Sequence, residues 1–258
     1  QGCTNEDKED ARRFKFCTFP NGHGNLSFLM IGNSYSFHMG ELVRKHFSDH
    51  YGRYSVRSLP WCEPLIKTNR MEIDEAHRTF REDVQREKPD VLFISTRYDN
   101  PEAALMGNVS SEPVYLFMLG KLREYEQLVT KKIFILNSFP RLNSPAVAVK
   151  QREAKGLPIE GFVPEAIRGD DEPMRRRNEE LAKNCAKCVF YDIRNLHLNE
   201  KGQFMIADPF SKIRYFDNNA HYTSVGIKLI EPVFVQLSSE FDRLMNATYP
   251  DNVFVLKH

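Results

Sequence analysis

The chain has 258 residues, 41% hydrophobic and 28% charged, so it can bury a sizeable core and is neither disordered nor collagen-like. Lysine plus arginine number 36 against 35 acidic residues, a net charge of +1, which excludes a domain-wide nucleic-acid footprint; no nucleic-acid partner is expected. The longest unbroken apolar run, Val114 to Leu119, is six residues, whereas a membrane span needs roughly 20.

Residues 1–23 are polar, carry two cysteines and read as an arm or linker. The chain opens at Gln1 without an apolar leader, which reads as a piece cut from a longer precursor or a larger protein. Residues 24–248 are expected to form a single α/β domain and 249–258 a C-terminal tail. Phe28–Ile31 is a short apolar run ended by Gly32 and suits a buried strand. Tyr35 to Phe47 carries Met39, Leu42, Val43 and Phe47 at helical spacing. Tyr54 to Leu59 is a second strand, Asp74 to Lys88 an exposed helix, and Val91–Ile94 a strand entered through Pro89. A helix over Glu112 to Val129 aligns Leu116, Leu119, Leu122, Tyr125 and Leu128, and Ile133–Leu136 is a fourth strand. Residues 139–173 are rich in proline and glycine and read as irregular loop. A charged helix over Met174 to Cys185 precedes a fifth strand at Val189–Asp192. Phe204–Ile206 and Ile213–Phe216 suggest short strands, and a last helix spans Thr223 to Met245 with a kink expected at Pro232. Alternating strands and helices predict a mainly parallel, about five-stranded sheet with helices on both faces, where ligands bind beyond the carboxyl ends of the strands.

Two segments carry chemistry in that frame. Gly32-Asn33-Ser34-Tyr35 joins the first strand to the first helix, exposing a serine hydroxyl at a helix N-terminus whose partial positive charge favours an oxyanion. The plainer reading makes Ser34 a helix cap. Far down the chain, Asp217 stands four residues before His221 in a loop that leads into the last helix. An imidazole can take a serine proton, and a carboxylate on its other nitrogen fixes the tautomer and stabilises the imidazolium. The plainer reading is a solvated polar loop with Thr223 or Ser224 capping the helix.

Together the two segments resemble the SGNH (GDSL-type) hydrolase family, with its Gly-Asp-Ser block near the start and Asp-x-x-His block near the end. More narrowly, the chain looks like the nematode-like subgroup whose SGNH domain is fused to multi-pass acyltransferase domains. Cys62-Glu-Pro64-Leu65 resembles that subgroup's Cys-Pro-Pro-Leu, and Val91 to Tyr98 resembles its strand ending in Ala-Arg-Trp. The resemblance spans roughly residues 24–235 and implies a three-layer α/β/α sandwich and acyl transfer through a serine, with Ser34 as nucleophile and His221 as general base. The chain departs from the pattern in three places. Asn33 replaces an aspartate. The family's acid position falls on Asn218, leaving Asp217 one residue earlier, so Asn218 is the alternative orienter. No glycine lies between Gly52 and Gly107 to supply the second oxyanion donor. That donor falls instead near Ser58, and the third-block asparagine falls on Arg97, with Asn100 as a second candidate.

Cys185-x-x-Cys188 is half of a zinc pattern with no second pair, so no metal and no cofactor is expected; disulfides involving Cys3, Cys17, Cys185 and Cys188 fit better, Cys3 with Cys17 among them. Asn25, Asn108 and Asn246 open glycosylation triplets, which with the cysteines point to a lumenal or extracellular location, within a membrane protein if the fused acyltransferase domain is present. Arg175-Arg-Arg177 ahead of Glu179-Glu180 reads as a solvated helix face. Three functions follow: a serine esterase or O-acyltransferase acting on an acyl ester or glycan hydroxyl, a degenerate SGNH domain that binds a glycan or partner without turnover, and an unrelated flavodoxin-like module that holds an anion at the Ser34 helix.

Overall fold

A computed structural model describes residues 4–5, 15–67, 73–98, 105 and 107–256. The elements run β1 (Thr4–Asn5), β2 (Lys15–Thr18), β3 (Leu26–Gly32), α1 (Ser34–His46), β4 (Tyr51–Ser58), α2 (Ile73–Glu87), β5 (Val91–Ile94), α3 (Pro113–Leu128), β6 (Lys132–Leu136), β7 (Arg141–Leu142), α4 (Pro145–Ala154), β8 (Ile167–Arg168), α5 (Glu172–Asn184), β9 (Cys188–Asp192), α6 (Ser224–Ser239), α7 (Phe241–Met245) and β10 (Val253–Val255).

Side chains alternate across a strand, so an all-apolar strand must have a core on each face. The sheet shows this directly. Phe28 and Met30 of β3, Val91 and Phe93 of β5, and Phe134 and Leu136 of β6 join α1 and α6 in one core. Leu29 and Ile31, Leu92 and Ile94, and Ile133 and Ile135 join α2, α3 and α5 in the other. The result is the expected three-layer α/β/α sandwich.

The sheet order is β1-β2-β4-β3-β5-β6-β9-β10, eight strands rather than about five. Strands β4, β3, β5, β6, β9 and β10 are mutually parallel, while β2 pairs antiparallel with β4. The extra strands are edges drawn from the stretches read as arm and tail. An edge strand needs few apolar residues, and β2 buries Phe16 and Cys17. The proline-rich stretch also holds a helix, α4, with Pro145 in its first turn, where its missing N–H costs nothing. Phe204–Ile206 and Ile213–Phe216 make isolated bridges instead of strands. Pro232 lies inside α6, which continues to Ser239. No helix among the described residues is long and apolar enough to cross a membrane.

Cys185 is disulfide-bonded to Cys188, and Cys17 is disulfide-bonded as well. The expected partner, Cys3, lies outside the described residues. Cys62 is free and buried. Asn25, Asn108 and Asn246 are all exposed. The arginine run departs from a solvated face: Arg176 is exposed, Arg175 pairs with Asp192, and Arg177 is fully buried against Glu112.

Candidate active site

From β3 the chain steps to β4 on one side and then to β5 on the other, so the carboxyl end of β3 is the point where the sheet's winding reverses. Ser34 stands there, in the first turn of α1. Gly32 makes this turn possible: a Cβ on it would lie 2.0 Å from Ser95 O. The cap is Asn33, not Ser34. Asn33 Oδ1 accepts Tyr35 N–H at 3.1 Å and Arg97 N–H at 3.2 Å, and its Nδ2 donates to Arg97 O at 2.8 Å. An aspartate could not make that last bond, which accounts for asparagine here. With the capping role filled, the half-buried Ser34 has a hydroxyl and an N–H that make no hydrogen bond among the described residues.

The second segment is a tight loop. Asp217 Oδ1 accepts Asn219 N–H at 2.8 Å and His221 N–H at 2.9 Å, and Asp217 N–H donates to His221 O at 2.9 Å. Asp217 Oδ2 stands 3.6 Å from His221 Nδ1. Asp217 therefore faces the imidazole, whereas Asn218 is exposed. Thr223, not Ser224, caps α6 by accepting Gly226 N–H at 3.2 Å. Gly226 is needed where it stands, because a Cβ there would lie 2.1 Å from Tyr215 O.

Three contacts bring the segments together. Tyr35, next to Ser34, donates its hydroxyl to the carbonyl of Ala220, next to His221, at 2.7 Å. Arg97, at the end of β5, donates to Asn219 O at 3.1 Å, with its guanidinium over the Tyr35 ring. His38, one turn beyond Ser34, packs its ring at a tilt against His221 with ring centroids 4.9 Å apart and planes 32° apart. Ala220 has φ of 59°, a left-handed conformation that an L side chain holds only when its surroundings fix it, and the Tyr35 hydroxyl does so. Burial pushes the Tyr35 hydroxyl pKa up, keeping it a neutral donor. Among the described residues no hydrogen bond joins Ser34 to His221.

The other expected donors stand differently. Ser58 is buried at the end of β4, where its hydroxyl pairs with Ser36 Oγ at 2.7 Å and the next amide, Leu59 N–H, donates to Gly32 O at 2.9 Å. Arg97 braces the His221 loop. Asn100 lies outside the described residues. Sequence alone does not single out Tyr35 and His38, although both follow Ser34 on α1 and His38 sits at the four-residue spacing that shares a helix face.

A family model for the SGNH domain (fused to AT3 domains) matches residues 2–236. The chain belongs to that family. No curated protein matches it. The SGNH domain is similar in fold to the periplasmic domain of a lipopolysaccharide acetyltransferase of Salmonella ser. Paratyphi A, at 12% identity and a TM-score of 0.60, over 85% of each chain.

Behind the SGNH domain's histidine loop lies a further, buried imidazole. Buried His197 directs Nδ1 at Met205 O (3.0 Å) and accepts the Tyr222 hydroxyl at Nε2 (2.9 Å). Burial pushes its pKa down from 6.5 to about 4. The fold holds the neutral form, so the unfolded chain takes up the proton first as pH falls. Stability from His197 is full above about pH 6.5 and is lost progressively towards about pH 4, up to about 3 kcal/mol. Urea midpoints across this range should fall less steeply in His197→Gln than in the wild type. Parallel curves would show that His197 contributes nothing.

Proposed function

We propose that this SGNH domain is a serine esterase or O-acyltransferase that works through an acyl-enzyme on Ser34. The reading rests on one observation: the Tyr35 hydroxyl on the Ala220 carbonyl latches the residue after the serine to the residue before the histidine. Ser34 Oγ attacks the ester carbonyl while its proton passes to His221, and Ser34 N–H at the positive end of α1 faces the developing oxyanion. Collapse of the tetrahedral adduct returns that proton to the leaving alcohol and leaves the acyl group on Ser34. An acceptor hydroxyl, from water or a glycan, then gives its proton to His221 and takes the acyl group, and collapse of this second adduct returns the proton from His221 to Ser34 Oγ. Asp217 stabilises the imidazolium between these steps. The cycle balances with no metal and no cofactor.

The family's fusion to AT3 domains supports a covalently linked membrane acyltransferase as partner. Disulfides, exposed glycosylation triplets and the periplasmic neighbour support an extracytoplasmic glycoprotein domain. The alternative, a domain that binds a glycan without turnover, draws on the 3.6 Å separation of acid and imidazole. The test is release of nitrophenol from a short-chain nitrophenyl ester by the purified domain. The enzyme reading expects turnover that Ser34→Ala abolishes; equal rates in both proteins overturn it.

A further inference from the structure

His221 is the group whose orientation the proposed chemistry needs most, yet its carboxylate holds it loosely. One oxygen of Asp217 is taken by the backbone amides of Asn219 and His221. The other stands 3.6 Å from His221 Nδ1, beyond hydrogen-bond range. Free rotation of the ring would swing the proton-accepting nitrogen away from Ser34.

His38 opposes that rotation. Its ring packs at a tilt against the His221 ring, centroids 4.9 Å and planes 32° apart. The neighbouring Phe37 ring meets the His38 ring edge-on at 5.8 Å with planes 87° apart. His38 is on the same rigid helix as Ser34, one turn along, so the group that bears on His221 is fixed relative to the nucleophile. Resting on the enzyme reading above, we propose that His38 is the positioning residue for His221, supplying the orientation that the displaced carboxylate gives only in part. The charged groups acting on His38 are His221 and Asp217. Burial and the neighbouring His221 push the His38 pKa down, so at neutral pH the contact between the two rings is not opposed by a charge on His38.

The test compares His38→Ala, which removes the ring, with His38→Phe, which keeps a flat ring without its nitrogens. His38→Ala is expected to lower kcat roughly tenfold at unchanged KM, because a misplaced catalytic group costs rate rather than binding. His38→Phe is expected to recover most of that loss. An independent readout is the ring 15N shifts of His221 at about pH 8. Wild type and His38→Phe should show one tautomer, and His38→Ala a mixture, because a rotating ring loses Asp217. If His38→Ala keeps full kcat while Ser34→Ala is dead, the positioning role is wrong and the enzyme reading stands. If the wild type turns over no faster than Ser34→Ala, the enzyme reading is wrong and the 15N shifts alone decide: a single tautomer in His38→Ala overturns the proposal.

Discussion

Replacing His221 with alanine is expected to lower nitrophenyl-ester turnover by about 10³-fold, and adding Ser34→Ala is expected to lower it no further. In the proposed mechanism the two groups share one proton transfer, so losing either would remove the same step, with the residual rate left to binding and the helix N-terminus. Asp217→Asn should cost less than His221→Ala, because the aspartate oxygen facing the imidazole stands 3.6 Å away while the other holds the loop. The measurement is kcat/KM for the wild type, both single variants and the double variant in one assay. Independent, multiplying losses would show that Ser34 and His221 do not share a step.

The second large effect concerns the fold. Arg177 is completely buried on α5 and grips Glu112 at both oxygens, Nε to Oε2 at 2.8 Å and Nη2 to Oε1 at 2.5 Å. Glu112 also caps α3 by accepting Tyr115 N–H at 3.1 Å. The Arg177 guanidinium holds the Glu112 carboxyl below the usual carboxylate range. Removing one partner leaves a charge in a site that water does not reach, so Arg177→Met should destabilise the domain by about 3–5 kcal/mol. Adding Glu112→Leu removes the stranded charge and should recover much of that loss, apart from the lost cap. Equilibrium urea unfolding of the three proteins reads this out. A loss below about 1 kcal/mol in Arg177→Met would mean that Glu112 finds other partners.

The parallel core of the sheet was legible because strands buried on both faces must be apolar throughout. Phe28–Ile31, Val91–Ile94 and Ile133–Leu136 have no other reading between helical patterns. The edges were not legible. Two-residue β1 and three-residue β10 take their stability from the neighbouring strand rather than their own side chains. α4 was hidden because Pro145 and Gly156, which suggest a loop, here mark the two ends of a helix. Arg177 looked solvated because its partner is 65 residues away.

The candidate site divides in the same way. Ser34 and His221 stand out in short local blocks, and Asp217 stands ahead of Asn218 because only a carboxylate can stabilise an imidazolium. The devices that join the blocks could not be found, because they are long-range. Tyr35 reaches Ala220 across 185 positions, and Arg97 reaches Asn219 across 122. Nothing in either residue's neighbourhood in the sequence announces such a partner.

The most direct measurement is where a fluorophosphonate probe bonds to the intact domain, read by peptide mass. A serine hydroxyl is a weak nucleophile until a neighbouring base takes its proton, so the probe reports whether the two segments work together. One label is expected, on Ser34, formed far more slowly in His221→Ala. A domain that stays unlabelled, or that labels elsewhere at a rate indifferent to His221, would contradict it.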